Sequence, residues 1–299
     1  MKSNVLKALI NIANLKEFEI SQLYKYSEGI NNRITSKGDR LEFFIKDAFC
    51  GCINEPDRKK VNNTIYPKFI SYLGSQSKIP DIVIKNGDAI EVKKTSLKET
   101  QLNSSFPKRT LKASDNITEA CKNCEDDTGG WSIKDMQYVF GNIDDKSWKI
   151  NALWFLDAKT MIADEDHYLK IFDDLQGSLE QTQYNNADTE ELARFNNIDP
   201  LKITSLRVRG MWLLHHPVTV FNYIPTVENL HKQSISGRDI IDKKRYVLAL
   251  ITKEKYLTYD QNDQTEVEKL CSKEEIKIKN PNNPAKFDDA ILIYKQFTI

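Results

Sequence analysis

No apolar run in this 299-residue chain approaches the roughly 20 residues that a bilayer-spanning helix needs. The segment Met1 to Ile10 opens like an export signal, but Lys7 and Asn11 interrupt its apolar stretch before a signal core forms, so an amphipathic helix is the better reading. The expectation is a cytoplasmic protein with no membrane partner. Cysteine is sparse as well: five residues, an odd number scattered over a long chain, make no disulfide framework. Cys50-x-Cys52 and Cys121-x2-Cys124 have a spacing that tetrahedral zinc tolerates. Cys50 and Cys52 end an apolar helical pattern, however, and neither pair has glycine-rich knuckle surroundings, so structural thiols are expected. Net charge is missing too. Lys+Arg and Asp+Glu are both 43, which excludes a protein that holds nucleic acid through overall basicity. Any anion must be met by a local patch. No internal repeat and no linker interrupt the chain, and at 40% apolar and 29% charged residues it reads as one globular unit spanning residues 1–299.

What is present reads as an α/β protein. Apolar periodicity at Val5, Leu6, Leu9, Ile10 and Ile12, then Phe18, Ile20 and Leu23, predicts helix over most of residues 1–28. A second helix is predicted from a cap near Ser36 to Asp39 through Phe49, stopping at Gly51. Two short β-branched runs, Ile79 to Lys85 and Ala89 to Lys94, are joined at Asn86-Gly87, a strong hairpin signal. Strands are expected at Met136 to Ile143 and Trp148 to Leu156, giving a central sheet of about four strands between helices. Beyond it the pattern predicts a polar helix over 164–194 and strands at 203–208, 218–224 and 246–252. A loop at Asn280 to Pro284 and a last strand at 290–294 follow.

Chemistry concentrates on the first hairpin, which offers Asp81, Glu91 and Lys93. Two converging carboxylates suit a hard divalent cation such as Mg2+, and a nearby ammonium can hold the attacking water and offset charge on a phosphate. Parity tests the idea. Glu91 and Lys93 are two apart and share a strand face. A two-residue Asn86-Gly87 loop would leave Asp81 on the other face, whereas a three-residue loop Asn86 to Asp88 would pair Asp81 with Lys93 and gather all three. A functional site therefore predicts an odd-length loop or a bulge. An acid two before a lysine is common here, recurring at Asp57, Asp144, Asp242 and Glu275. The serious rival is Asp157-x-Lys159, which follows the apolar run Ala152 to Leu156 and has Asp144 and Asp145 upstream.

Ile79-Pro80-Asp81 followed after nine residues by Glu91-Val92-Lys93 resembles the PD-(D/E)XK nuclease core. Gly87-Asp88-Ala89-Ile90-Glu91-Val92-Lys93-Lys94, Leu102-Asn103-Ser104-Ser105-x-Pro107-Lys108 and Leu206-Arg207-Val208-Arg209-Gly210-Met211-Trp212 are similar to the NgoPII family of type II restriction endonucleases over most of residues 30–225. The resemblance implies a PD-(D/E)XK core over about 36–160, a mixed sheet flanked by helices, with recognition and dimer contacts in about 161–299. It implies a Mg2+-dependent homodimer that cuts double-stranded DNA at a short GC-rich palindrome, with a cognate DNA methyltransferase as genetic partner. It also implies that Asp81 and Glu91 hold the metal and Lys93 positions or polarises the water. Glu42, on the helix before the sheet, matches the additional acid that orients the lysine or supports a second metal in many such enzymes. The alternatives are a structure-specific or repair nuclease on the same core and a DNA-binding protein whose acidic hairpin is structural.

For DNA contacts, residues 93–112 carry six basic side chains against one acid, a net of +5. Lys94, Lys108 and Arg109 would neutralise phosphates, and Asn103, Ser104 and Ser105 offer short hydrogen-bonding groups. Arg207 and Arg209 share a face of a predicted strand and could read guanine. Residues 157–199 carry eleven acids against three bases, a net of −8, which predicts a basic cleft beside an acidic outer surface.

Overall fold

The computed structural model describes residues 2–20, 37–75, 78–96, 99–103, 106–126, 129–144, 147–180, 193–196, 198–208, 210–235 and 244–298. Helix α1 is Val5–Ala13, capped by the Asn4 side chain, which accepts the Lys7 N–H at 3.0 Å. Lys7 and Asn11 are its two residues that escape burial; four apart, they form the narrow polar stripe of an amphipathic helix, and Asn11 Nδ2 donates to the Ala48 carbonyl at 2.8 Å. It ends earlier than the periodicity predicts. Glu19 forms a β-bridge with Lys149, because Phe18 and Ile20, two apart and both buried, serve strand pairing as well as helix. Helix α2, Lys37–Cys50, closes at Gly51, whose φ of +66° is the left-handed exit that glycine permits.

The strands in chain order are β1 Ile70–Tyr72, β2 Ile82–Ile84, β3 Ala89–Lys94, β4 Thr100–Asn103, β5 Thr110–Lys112, β6 Ile133–Ile143, β7 Ile150–Asp157, β8 Ala193–Asn196, β9 Ser205–Val208, β10 Met211–Leu214, β11 Arg245–Thr252, β12 Ser272–Asn280 and β13 Asn283–Phe297. The central sheet runs β1-β2-β3-β6-β7-β11-β13-β12, with β5 paired to β6 off this path. It is mixed: β3 with β6 and β7 with β11 are parallel, the other neighbours antiparallel.

Among the described residues this sheet has nine strands, about twice the expected number, because β11, β12 and β13 join it from beyond residue 244 and β1 and β5 join it as well. The expected 280–284 loop shrinks to a tight turn in which Asn280 faces Asn283. Two further expectations fail locally. Residues 218–224 are not a strand: Pro217 starts a short helix, Pro217–Val220, and the His216 ring nitrogen Nδ1 caps it by accepting the Val218 N–H at 3.1 Å, which overrides the β-branched pattern. The polar helix covers Asp166–Glu180, and residues 193–196 form β8, which pairs with β9.

The sheet is apolar on both sides. Ile82, Ile84, Ile90 and Val92 join α1 and α2 in one buried cluster, while Val83, Ala89, Met136 and Tyr138 belong to the other. Cys50 and Cys52 lie in the first and Cys121 and Cys124 in the second, so the two thiol pairs do not meet at one ion. All five thiols are buried and free. Gly141 on β6 lets α2 descend onto the sheet, for a Cβ there would lie 2.5 Å from Leu41 Cδ2. The architecture is mixed α/β with helices flanking a central mixed sheet, compatible with a restriction-endonuclease-like core.

Candidate active site

The turn between β2 and β3 settles the parity question. Ile82 faces Ile90 and Val83 faces Ala89, and the Ile84 N–H donates to the Asp88 carbonyl at 3.0 Å across a three-residue loop of Lys85, Asn86 and Gly87. The loop is odd, as a site requires, but starts one residue earlier than expected, because Asn86 takes φ +51° at its centre. Continued by one residue, this register sets Asp81 against Glu91 instead of Lys93. The parity is unchanged, and all three side chains converge.

Lys93 Nζ lies 2.5 Å from Glu91 Oε1. Glu91 is 3% exposed, and its Oε2 is buried without a hydrogen-bond partner. Asp81 Oδ2 accepts the Val92 N–H at 2.7 Å, and the Asp81 N–H donates to the Ile90 carbonyl at 3.0 Å. Burial, reinforced by the Glu91 charge, pushes the Asp81 carboxyl up to about 7 against the pull of Lys93 and the Val92 N–H. Glu91 is raised by burial and by Glu42, with Lys93 opposing. Burial works against the Lys93 ammonium, yet Glu91, Asp81 and Glu42 together hold its pKa above the usual lysine value.

Glu42 reaches this cluster from α2. Burial and Asp81 raise its carboxyl, and Lys46 opposes them. Lys46, which the sequence reading missed although the i,i+4 spacing from Glu42 signals it, is 5% exposed and bonds Glu42 Oε1 at 2.5 Å and the Leu73 carbonyl at 2.9 Å. Acidic groups crowded in a low-dielectric pocket, with raised pKa values and an ammonium at hand, mark a reactive centre more often than a structural one. Among the described residues no group of three or more His, Cys, Asp or Glu is arranged to hold a metal ion. The donor set is the Asp81–Glu91 pair. Two carboxylates, one with an orphaned buried oxygen, fit a hard divalent cation that keeps most of its shell as water or substrate oxygen.

The rival acid is otherwise engaged. Asp157 is fully buried; Oδ2 accepts the Thr252 hydroxyl at 2.6 Å and Oδ1 the Lys159 N–H at 3.2 Å, so it caps the turn Ala158–Thr160. Lys159 turns instead to Asp135, at 3.0 Å. Asp144 closes its own turn through Ser147.

The expected DNA contacts divide. Lys94 is exposed at the end of β3, and Asn103 ends β4, whose partner is β10: Leu102 faces Trp212 and Asn103 faces Met211. Two segments more than a hundred residues apart thus lie side by side. Lys108 is tied down, its ammonium 2.8 Å from Asp115 and its backbone N–H 2.8 Å from the Tyr138 hydroxyl. Tyr138 is also the β6 neighbour of Glu91, so it links the loop to the site, a role the sequence reading did not anticipate. Arg109 pairs with Asp164 and Lys112 with Glu165, so the basic and acidic tracts meet instead of lying on separate surfaces. Arg207 is exposed on β9, directly across from Arg194, a second guanidinium missed earlier. Ser104, Ser105 and Arg209 lie outside the described residues.

The sequence profile of the NgoPII restriction endonuclease family matches residues 3–283. The Type II restriction enzyme NgoPII of Neisseria gonorrhoeae is 37% identical to this chain over 299 residues, an alignment covering 97% of this chain and 98% of that protein. No solved structure matches.

Proposed function

Since this chain belongs to the NgoPII restriction endonuclease family, we propose that it is a type II restriction endonuclease that hydrolyses both strands of duplex DNA at a short GC-rich palindrome. The observation that carries the proposal is the convergence of Asp81, Glu91 and Lys93, with one Glu91 oxygen held by the lysine and the other buried without a partner. Asp81 and Glu91 would hold Mg2+, which supplies Lewis-acid polarisation of the phosphate and a more acidic bound water. The Lys93 ammonium orients the attacking water and offsets the charge that grows on the phosphate, which requires it to stay protonated, as its two carboxylate neighbours ensure. Glu42 adds a third acid from α2 that keeps Lys93 charged. The products are 5′-phosphate and 3′-hydroxyl ends.

The β4–β10 ribbon and the β8–β9 hairpin supply the DNA-facing part in this reading. Lys94, Lys108 and Arg109 would meet phosphates, with Asn103, Ser104 and Ser105 beside them, and Arg207 and Arg209 would read guanine edges. Residues 1–299 act as one nuclease unit, with the core over about 36–160 and recognition and dimer contacts in about 161–299. One cleavage centre per chain and two strands to cut support a homodimer on a palindrome. A cognate methyltransferase then protects the same site as a genetic partner.

The test is digestion of a sequence-diverse plasmid with Mg2+ and with EDTA. Discrete fragments with Mg2+ alone are expected, and sequencing their ends gives the site. A smear indicates a nuclease that reads structure or damage, and retention of uncut DNA indicates a binding protein; either overturns the proposal.

A further inference from the structure

Lys46 lies outside the carboxylate–lysine hairpin, yet it joins three parts of the site. Its ammonium bonds Glu42 Oε1 at 2.5 Å and the Leu73 carbonyl at 2.9 Å, and it lies 5.3 Å from the centre of the Phe43 ring. The Leu73 carbonyl is not a casual acceptor. The next residue, Gly74, has φ +90° and lies so close to Asp81 that a Cβ on it would sit 2.5 Å from the Asp81 carbonyl oxygen. Lys46 therefore clamps α2 to the segment against which the Asp81 backbone rests. A lysine buried to 5% exposure forgoes its hydration and persists only where its charge is compensated.

Charge counting gives the clamp a chemical meaning. Glu42, Asp81 and Glu91 bring three negative charges, and Lys46 and Lys93 bring two positive ones, each lysine bonded to one glutamate. What separates the two glutamates is the second oxygen: Glu91 Oε2 is buried without a partner, whereas the Glu42 side chain stays 29% exposed, so with Lys46 on Glu42 the Asp81–Glu91 pair is left as the cation-binding donor set. We infer that Lys46 is a positioning residue that occupies Glu42 and so limits the centre to one divalent cation per chain, fixing that cation at Asp81 and Glu91. Without Lys46 the Glu42 carboxylate becomes a donor, and a second cation enters beside the first. This inference rests on the reading of Asp81, Glu91 and Lys93 as the cleavage site.

The experiment counts ions directly. Mn2+ bound to the full-length protein without DNA is measured by loss of the free-ion electron paramagnetic resonance signal, for wild type, K46M, K46R, E42Q and the E42Q/K46M double variant. K46M is expected to bind one more Mn2+ per chain than wild type and to cut DNA about 10–100-fold more slowly, the usual cost of losing a partner that orients a metal-site carboxylate. K46R keeps the wild-type count. E42Q/K46M, which replaces the ion pair with two neutral side chains of similar size, also returns to the wild-type count, which a K46M defect of folding alone would not explain. Any other pattern overturns the inference: an unchanged count in K46M, an extra ion that persists in the double variant, or K46R behaving like K46M. D81N separates the two layers of the argument. If D81N cuts at the wild-type rate, the site itself is misread; if D81N is inactive while K46M matches wild type in count and rate, only the role of Lys46 fails.

Discussion

Glu91 gives one carboxylate oxygen to the Lys93 ammonium at 2.5 Å and keeps the other buried with no hydrogen-bond partner. The two residues are neighbours on one face of β3, so strand geometry alone sets their approach. In the proposed reading the half-satisfied carboxylate takes a cation, and the lysine beside it takes a water or a phosphate.

Replacing the lysine tests that division of labour. Lys93→Ala is expected to slow plasmid cleavage by about 10²–10³-fold, the scale of losing one preorganised electrostatic group, while gel-shift affinity for DNA in Ca2+ is retained. Lys159→Ala, whose ammonium serves Asp135, should cut normally. The reverse pattern would move the active site to Asp157.

Gly74 is where backbone and site meet. Gly74→Ala forces an alanine into φ +90° with its Cβ 2.5 Å from the Asp81 carbonyl oxygen. The left-handed conformation alone costs about 1–3 kcal/mol. Urea unfolding should show a loss of at least that scale, and cleavage should fall further than the residual folded fraction accounts for. Wild-type stability in this variant would contradict the close approach.

The pairs Arg109–Asp164 and Lys112–Glu165 hold cations that DNA could use. Both pairs are partly exposed, so breaking them changes stability by only about 0–1 kcal/mol. An Asp164→Asn, Glu165→Gln double variant should bind DNA more tightly at low salt, and its log-affinity against log-salt slope should steepen by about 0.9 for each phosphate newly contacted. An unchanged slope would show that Arg109 and Lys112 stay away from the duplex.

His216 makes stability depend on pH. Burial between Phe140 and Trp154, with His231 nearby, drives its pKa down to about 3, whereas the unfolded chain carries an ordinary histidine near 6.5. As pH falls below about 6.5 the unfolded chain takes up a proton that the folded one refuses, so stability is lost progressively from about pH 6.5 toward 3, at up to about 1.4 kcal/mol per pH unit. His216→Asn, which can still cap the helix Pro217–Val220, should flatten that slope. Denaturation midpoints at pH 7 and pH 5 give the comparison, and equal slopes in the two proteins would refute the assignment.

The sequence carries the hairpin well because two signals coincide there: Asn-Gly at the turn, and charges punctuating an Ile/Val run at positions of equal parity. It carries α2 for a similar reason, with glycine at its end and apolar spacing within. The register was less legible, since Asn86 moved to the centre of the loop and shifted the pairing partner of Asp81 by two residues without changing the face. The Glu42–Lys46 pair is written in the i,i+4 spacing, but its clamp onto the Leu73 carbonyl is a contact across 27 residues that no local pattern contains. The pairing of β4 with β10 and the entry of β11 and β13 into the central sheet are likewise decided by long-range contacts. At residues 218–224 a single proline and its histidine cap outweighed a β-branched run.

The packing of residues 283–297 against residues 4–18 has a temporal side. Phe18 stacks on Phe297 at 4.5 Å, Lys295 Nζ donates to the Ala13 carbonyl at 2.7 Å, and β13 lies next to β11, which in turn pairs with β7. A ribosome delivers Asp81, Glu91 and Lys93 well before any of these partners exist. During that interval β3 and β6 can pair, but the far side of β7 and the apolar face of α1 lack their cover, and contacts of such sequence separation form slowly. The nascent chain therefore holds Asp81, Glu91 and Lys93 in a sheet that is still incomplete, and the cover over β7 and α1 is completed only after β13 has been translated.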